Sequence, residues 1–572
     1  MNIRRFAITS VRFATILLLV FASAVAALAQ AGRGGINGIV TDPTGAIIPG
    51  AKVLVENRAT GIRLSTVSSS AGLYSFVSLA PGTYEVSASA KGFQTAINKN
   101  VRVSVDQVTT VNIPLPVGNV SEVITVTGNS SMVDTNNSTV GQLISAQAID
   151  RVPLLTRDVY DLVQLSAGVI PTNGTPNAAD TPGIFNARSG ADVASFTING
   201  ALQGTVYYML DGSPIGIAEN NAASIIPAFQ VPEDAVEEYR VETQNAPATY
   251  ASGGAGVISL VTKSGTNKFH GGGFVFIRPN TLAANEYFNK QNQLSQGLPN
   301  QTADFHRYQE GGSIGGPILH DKLFFFADYE ATQQKLLETG SFTVPTAAER
   351  GGDFSADSFT VYNPLVADDS TGMRQPFDGN VISSGNLNPI ALQFANFFPA
   401  PNADGEGPYH INNYTASGLD PNNAQKFDIR GDYALNQKHH LFSRFSFQRL
   451  KFGNADLYGS DNMYDPLYYQ NITNSRNILL ADDYTLSSTS VLQLRYSFTR
   501  HYENQTGDPR QADFDITTLG FPQSLADQVL YKQIPSMSCV KTAPVGGTGN
   551  WDTFILSSEN SEGIATYTNV MG

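Results

Sequence analysis

Cysteine and tryptophan are almost absent, with one of each in 572 residues. A lone Cys539 cannot close an intramolecular disulfide, so a disulfide-stapled scaffold is excluded. Charge is also scarce, at 15% of residues, and its balance is acidic, with a formal net charge of −14. With no basic tract, nucleic acid is excluded as a partner. Past the N-terminus no run of about 18 apolar residues occurs, so no segment reads as a membrane-spanning helix. The seven histidines are scattered, and the neighbours His439 and His440 would face opposite sides of a strand. HExxH, CxxC and Walker motifs are missing. Gly254-Ala255-Gly256 opens like a dinucleotide loop but leads into a strand pattern. No catalytic, cofactor-binding or metal residue is therefore assigned, and the chain reads as a non-enzyme without a cofactor.

What is abundant is glycine, with 52 residues, and phenylalanine plus tyrosine, with 32 and 23. Many strands and turns suit this composition better than a helical enzyme does. At the N-terminus, Arg4, Arg5 and Arg12 precede an apolar run over residues 13–28, and Ala27-Leu28-Ala29 offers an A-x-A cleavage site. Residues 1–29 therefore read as a secretory signal peptide. An exported chain without a membrane helix can re-enter a membrane only as a β-barrel.

Three compositional zones follow. Residues 33–117 alternate short β runs (INGIVT, AKVLVEN, LYSFVSL, GTYEVSASA, VRVSV, TTVNIPL) with turns such as Asp42-Pro43-Thr44-Gly45 and Pro81-Gly82. This predicts a small β-sandwich. Gly38, Asp42, Gly45, Pro49-Gly50-Ala51, Gly72, Tyr74, Phe76, Pro81-Gly82, Tyr84 and Gly92-Phe93 together resemble the carboxypeptidase regulatory-like domain, a seven-stranded, carbohydrate-binding-like sandwich without a peptidase site. Tyr74 and Tyr84 are candidates to stack on a sugar ring, with core packing as the stronger alternative. Residues 120–137 hold VSEVITVTG and a polar linker. The stretch Glu122, Val123, Ile124, Thr125, Val126 and Thr127 is a short strand pattern with no evident hairpin partner. It is either a coupling segment or a last sandwich strand.

Residues 138–265 form the second zone. Ser145 to Ile149 and Asp158 to Leu165 predict two short helices, and Phe196-Thr197-Ile198-Asn199-Gly200 a strand and turn. The run YYMLDG ends in the turn pair Asp211-Gly212. The zone ends within residues 236–267, VEEYRVETQNAPATYASGGAGVISLVTKSGTN, two strands around a small-residue run. In aggregate this order resembles the plug domain of TonB-dependent outer-membrane transporters, with Asp211, Gly212, Tyr250, Gly253, Gly254, Gly256, Thr262 and Lys263 carrying the plug motif. The resemblance makes residues 122–127 the candidate TonB box, which a periplasmic partner would grip by strand addition.

From residue 266 onward the alternation has a barrel character. FDIRGDYAL and VLQLRYSFTR place apolar side chains on one face and charges on the other, as expected for lipid outside and water inside. Seven strands are predicted, over 269–278, 309–318, 322–333, 425–435, 440–450, 476–487 and 491–503. Tight turns and long links alternate between them. The run GGSIGGP followed by LFFFADYE resembles the Oar-like subgroup. Since a plugged barrel of this kind has about 22 strands, seven strands predict a chain truncated within the barrel.

The expected fold class is thus mainly β: a seven-stranded sandwich, an α+β plug, and the first part of a large transmembrane antiparallel barrel over 266–572. The resemblance implies a receptor and transporter in the outer membrane of a Gram-negative bacterium. Its partners would be a TonB-type energy-coupling protein, outer-membrane lipid, and an external solute such as a carbohydrate, siderophore or peptide. The alternative is a surface binding or adhesion protein that uses the sandwich and long loops without active transport.

Overall fold

The computed structural model describes residues 32–118, 123–126, 138–154, 157–171, 196–202, 205–219, 224–246, 250, 255–285, 287–295, 297, 299–302, 304–368, 370–459, 461–465, 468–487, 490–539, 542–547 and 554–569. The predicted signal peptide lies outside these residues, as do Glu122, Thr127, Gly253 and Gly254.

The sandwich consists of two sheets. Gly34–Thr41 lies between Leu73–Leu79 and the short strands Val108–Thr110 and Ile113–Pro114. The facing sheet runs Arg63–Val67, Lys52–Asn57, Gly82–Ser89, Thr95–Val103, Val123–Val126. Alternate residues of both sheets (Ile36, Val40, Val53, Val55, Tyr74, Phe76, Tyr84 and Val86 among them) form one core. This corrects the sugar-stacking assignment of Tyr74 and Tyr84. They are 3% and 5% exposed, and their hydroxyls donate to the backbone carbonyls of Val111 and Ala80. Neither ring has a face free to meet a sugar.

The plug is built on a five-stranded sheet in the order Val140–Ser145, Val236–Gln244, Gly256–Thr262, Val206–Leu210, Ser213–Pro214. Every residue of Gly256–Thr262 is buried, so this central strand is covered on both faces. Gly256 has φ +157°, and a Cβ there would lie 2.5 Å from the Glu242 carbonyl oxygen, so only glycine fits. The first predicted helix forms as Ala146–Arg151. The second is a 3₁₀ helix, Val159–Leu165, whose N-cap Asp158 accepts from the Tyr160 N–H.

Eight long strands complete the fold in strict meander order: His270–Pro279, Phe305–Leu319, Leu323–Phe342, Tyr414–Ala434, His439–Gly453, Gln470–Thr485, Ser490–Thr506 and Phe554–Asn569. The last was not predicted. The links at 320–322, 435–438 and 486–489 are tight, whereas those at 280–304, 343–413, 454–469 and 507–553 are long. Residues 311–315 have the G-x-S-x-G spacing of a hydrolase elbow. They lie mid-strand, Ser313 pairing with Gly272 and Asp328, rather than at a strand-to-helix turn.

The burial of this sheet is inverted relative to a water-soluble protein. Its hidden face carries Arg307, Glu330, Arg430, Arg444, Asn477 and Gln493, while Val275, Ile277, Ile314, Ile429, Leu480 and Leu494 are exposed. Register sets the limits of the apolar band. One cross-strand row reads Tyr329, Phe427, Phe447, Arg476, Arg500, Glu559. Arg500 pairs with Glu559 at 3.3 Å on the outer face, and Arg476 lies over the Phe447 ring. Beyond this aromatic and charged row the strands run on as 332–342 and 414–424, which is why they exceed the roughly ten residues a bilayer requires.

Candidate functional site

The plug and the inner face of the sheet meet through charge. Asp211 and Gly212, both with positive φ, form the two-residue turn between Leu210 and Ser213, the geometry that Asp-Gly favours in a tight hairpin. The turn presents the Asp211 carboxylate to two strands of the sheet. Arg430 Nη1 donates to Oδ1 at 3.0 Å, and Arg444 Nε lies 2.8 Å from Oδ2. Thr262, at the end of the central plug strand, donates its N–H and hydroxyl to the same carboxylate at 3.0 and 2.9 Å. Arg430 also reaches the Thr262 carbonyl at 2.9 Å and Asp432 at 2.8 Å. Burial works against the charge of Asp211, but the two guanidiniums and the Thr262 donors outweigh it and hold the carboxyl below its ordinary range. Three residues flagged in the sequence, Asp211, Gly212 and Thr262, thus converge on one lock. The neighbouring Lys263 is held by its backbone N–H, which donates to Ala235, and Tyr250 sits against Tyr207, apart from the lock.

A second lock was not legible in the sequence. Arg157 lies 3.1 Å from Glu330 on the sheet, 3.5 Å from Glu233 and 3.4 Å from Asp234, and its guanidinium covers the Phe274 ring at 3.9 Å. Lys426 approaches Glu330 from the other side at 3.5 Å. Nearby, Gln448 accepts from the Gln230 N–H at 2.7 Å. These contacts are polar and directional, the kind that can be remade in water.

The sandwich lies at the tight-turn end of the sheet. Arg33 pairs with Asp483 at 2.7 Å, and Ser78 accepts from Gln493 at 2.6 Å. Asn267 ties Ala59 and Thr60 to Asp321 in the first tight turn. Glu238 of the plug receives Arg102 at 2.7 Å and the Val105 N–H at 2.6 Å. About 510 Å³ of open space remains between sandwich and sheet, bordered by Arg33, Arg102, Arg430 and Tyr433 and edged by Tyr84. The segment Val123–Val126 is not free here. It pairs in parallel with Thr95–Val103, a long-range partner to which no hairpin turn connects it.

At the other end, three long links share one aromatic core. Phe394, Phe397 and Phe398 pack with Val344, Tyr458, Leu519, Ile534 and Val545, and Phe397 stacks on Tyr464 at 3.6 Å. Asn388 caps the short helix Pro389–Ala395 that carries the first of these rings. Together these rings hold three loops in one platform. No cluster of three or more His, Cys, Asp or Glu residues that could hold a metal occurs among the described residues.

A strand sheet with an apolar outer face, an inner domain held to it by buried ion pairs, and long links gathered at one end are the features of an outer-membrane strand sheet packed around a plug. The chain belongs to the family described as outer membrane beta barrel domain, which matches residues 261–572, and residues 35–116 match the carboxypeptidase regulatory-like domain. Over 336 residues the sequence is 24% identical to the TonB-dependent transporter Oar of Myxococcus xanthus, covering 55% of this chain and 28% of that protein. The chain therefore spans under a third of that relative's length. Among solved structures, the outer membrane transporter YddB of Escherichia coli overlaps with a TM-score of 0.44 at 11% identity, covering 74% of this chain and 44% of that one. The ferric enterobactin receptor PfeA of Pseudomonas aeruginosa overlaps at 0.34 and 13% identity, covering 63% and 41%. The protein resides in the outer membrane.

Proposed function

We propose that the protein works in energy-coupled uptake of an external solute, with a TonB-type periplasmic protein as its partner. The observation that carries this reading is the mode of plug retention. Asp211, Arg430 and Arg444 form a buried ionic lock that a pull can open, inside a sheet whose outer face is apolar. The solute would be met by the platform around Phe397 and Tyr464 and by the plug beneath it, while the tight-turn end faces the periplasm. The partner would grip residues 122–127 by strand addition, since backbone hydrogen bonds demand little of the sequence. Likeness to the Oar transporter supports the same reading.

The test is removal of residues 122–127 from the full chain in its own membrane. Uptake of radiolabelled solutes from spent medium should vanish while the amount of protein in the outer membrane stays constant. Undiminished accumulation would reject coupled transport. Loss of uptake with cell-surface binding intact would exclude a role limited to adhesion.

A further inference from the structure

We infer that the sandwich stores the coupling segment, so that the energy-coupling partner must displace it before it can pull. The inference rests on the transport reading above and adds an autoinhibitory contact to it. Val123–Val126 is the end strand of the five-stranded sandwich sheet, with Thr95 opposite Val123, Ala96 opposite Ile124, Ile97 opposite Thr125 and Asn98 opposite Val126. Four residues in a parallel ladder make a short and comparatively weak attachment. A partner that adds its own sheet edge to this segment offers the same kind of backbone bonds, so exchange costs little beyond the opening step.

The strand beneath the stored segment also reaches the plug. Thr95–Val103 holds Val123–Val126 along residues 95–98 and carries Arg102 four residues farther on, where the guanidinium meets Glu238 at 2.7 Å. Glu238 belongs to the plug strand Val236–Gln244, which pairs with Gly256–Thr262, the strand that ends on the Asp211 lock. Storage site, sandwich clamp and plug lock are therefore joined through two backbone ladders, bridged by the Arg102–Glu238 ion pair and ending on the Thr262 bonds to Asp211. Removing the stored strand leaves Thr95–Val103 as an open sheet edge next to its own clamp on the plug. Coupling would thus begin by loosening the sandwich, and only then draw on the plug.

A reversible crosslink tests this in the full-length protein. In a Cys539→Ser background, Ala96→Cys with Ile124→Cys places thiols on directly paired positions, within the spacing a disulfide spans. Detergent-solubilised protein is then titrated with the purified periplasmic domain of the TonB-type protein from the same host. The reduced variant should bind like the parent, and oxidation should weaken binding at least tenfold, with recovery on adding reductant. A control crosslink, Lys52→Cys with Ser89→Cys, lies elsewhere in the same sheet and should leave binding unchanged in both states. Equal binding by the oxidised and reduced Ala96/Ile124 variant overturns storage while leaving coupling intact. A parent protein that does not bind the periplasmic domain at all overturns both.

Discussion

Asp211→Asn isolates the charge of the plug lock, because the amide keeps the shape of the turn and can still accept one hydrogen bond. Two buried guanidiniums then lose their shared anion. Arg430 keeps Asp432 at 2.8 Å and the Thr262 carbonyl at 2.9 Å. Arg444 keeps the Asn477 side-chain oxygen Oδ1 at 2.9 Å, its short bond to Ser446, and Asp428 at 3.9 Å. Removing one member of a buried pair costs about 3–5 kcal/mol. The surviving partners of Arg430 put the expected loss at the lower end, roughly 3 kcal/mol, which is about a hundredfold in the opening equilibrium. Hydrogen exchange of the full-length protein reads this directly in peptides covering 206–214 and 256–262, since local opening sets the rate. Arg444→Gln should cost less on top of Asp211→Asn than alone, because the two changes remove the same contact. Exchange within threefold of the parent in both peptides would refute the argument that this ion pair retains the plug.

The junction of sandwich and plug should respond to pH. Burial and the neighbouring Glu242 push the Asp106 carboxyl up to about 7, and its Oδ1 accepts from the Gly32 N–H at 2.8 Å. A raised carboxyl favours the folded junction at low pH, and that contribution is lost as pH rises through about 7. Spin-label distances between sandwich and sheet should therefore broaden from pH 5 to pH 8, and Asp106→Asn should flatten the response. Leu480→Arg, on the exposed apolar face, should cost about 2–4 kcal/mol and lower the amount assembled in membranes, measured by heat-modifiable gel mobility. Phe397→Ala removes a ring stacked on Tyr464 and should destabilise the outer platform by about 3–5 kcal/mol, seen as faster protease cleavage within 343–413 without loss of the strand sheet.

Residues 491–503 announced their strand because Leu492, Leu494, Tyr496 and Phe498 alternate with Gln493, Arg495, Ser497 and Thr499. Phe554–Asn569 escaped notice because its outward positions include Ser557, Glu559, Ser561 and Gly563, which blur the contrast between the two faces. Asp211 could be read as a turn residue from Asp-Gly alone. Its arginines could not, since Arg430 lies 219 residues away and only the folded register brings it near. Val123–Val126 left two readings open for the same reason: its partner is a parallel strand, and parallel pairing leaves no short turn to mark it. Tyr74 and Tyr84 show the converse. Alternation placed them on the inner face, and the hydroxyl bonds that fix them there join residues 37 and 4 positions apart.

The central claim is that the eight-stranded sheet turns its apolar face to lipid and its charged face to the plug. Single spin labels at positions 491 to 498 of the membrane-embedded protein measure this most directly, by comparing collisions with oxygen and with a water-soluble nickel chelate. Positions 492, 494, 496 and 498 should favour oxygen, while 491, 493, 495 and 497 should be shielded from both reagents. Equal access of the nickel chelate to both sets would contradict the account.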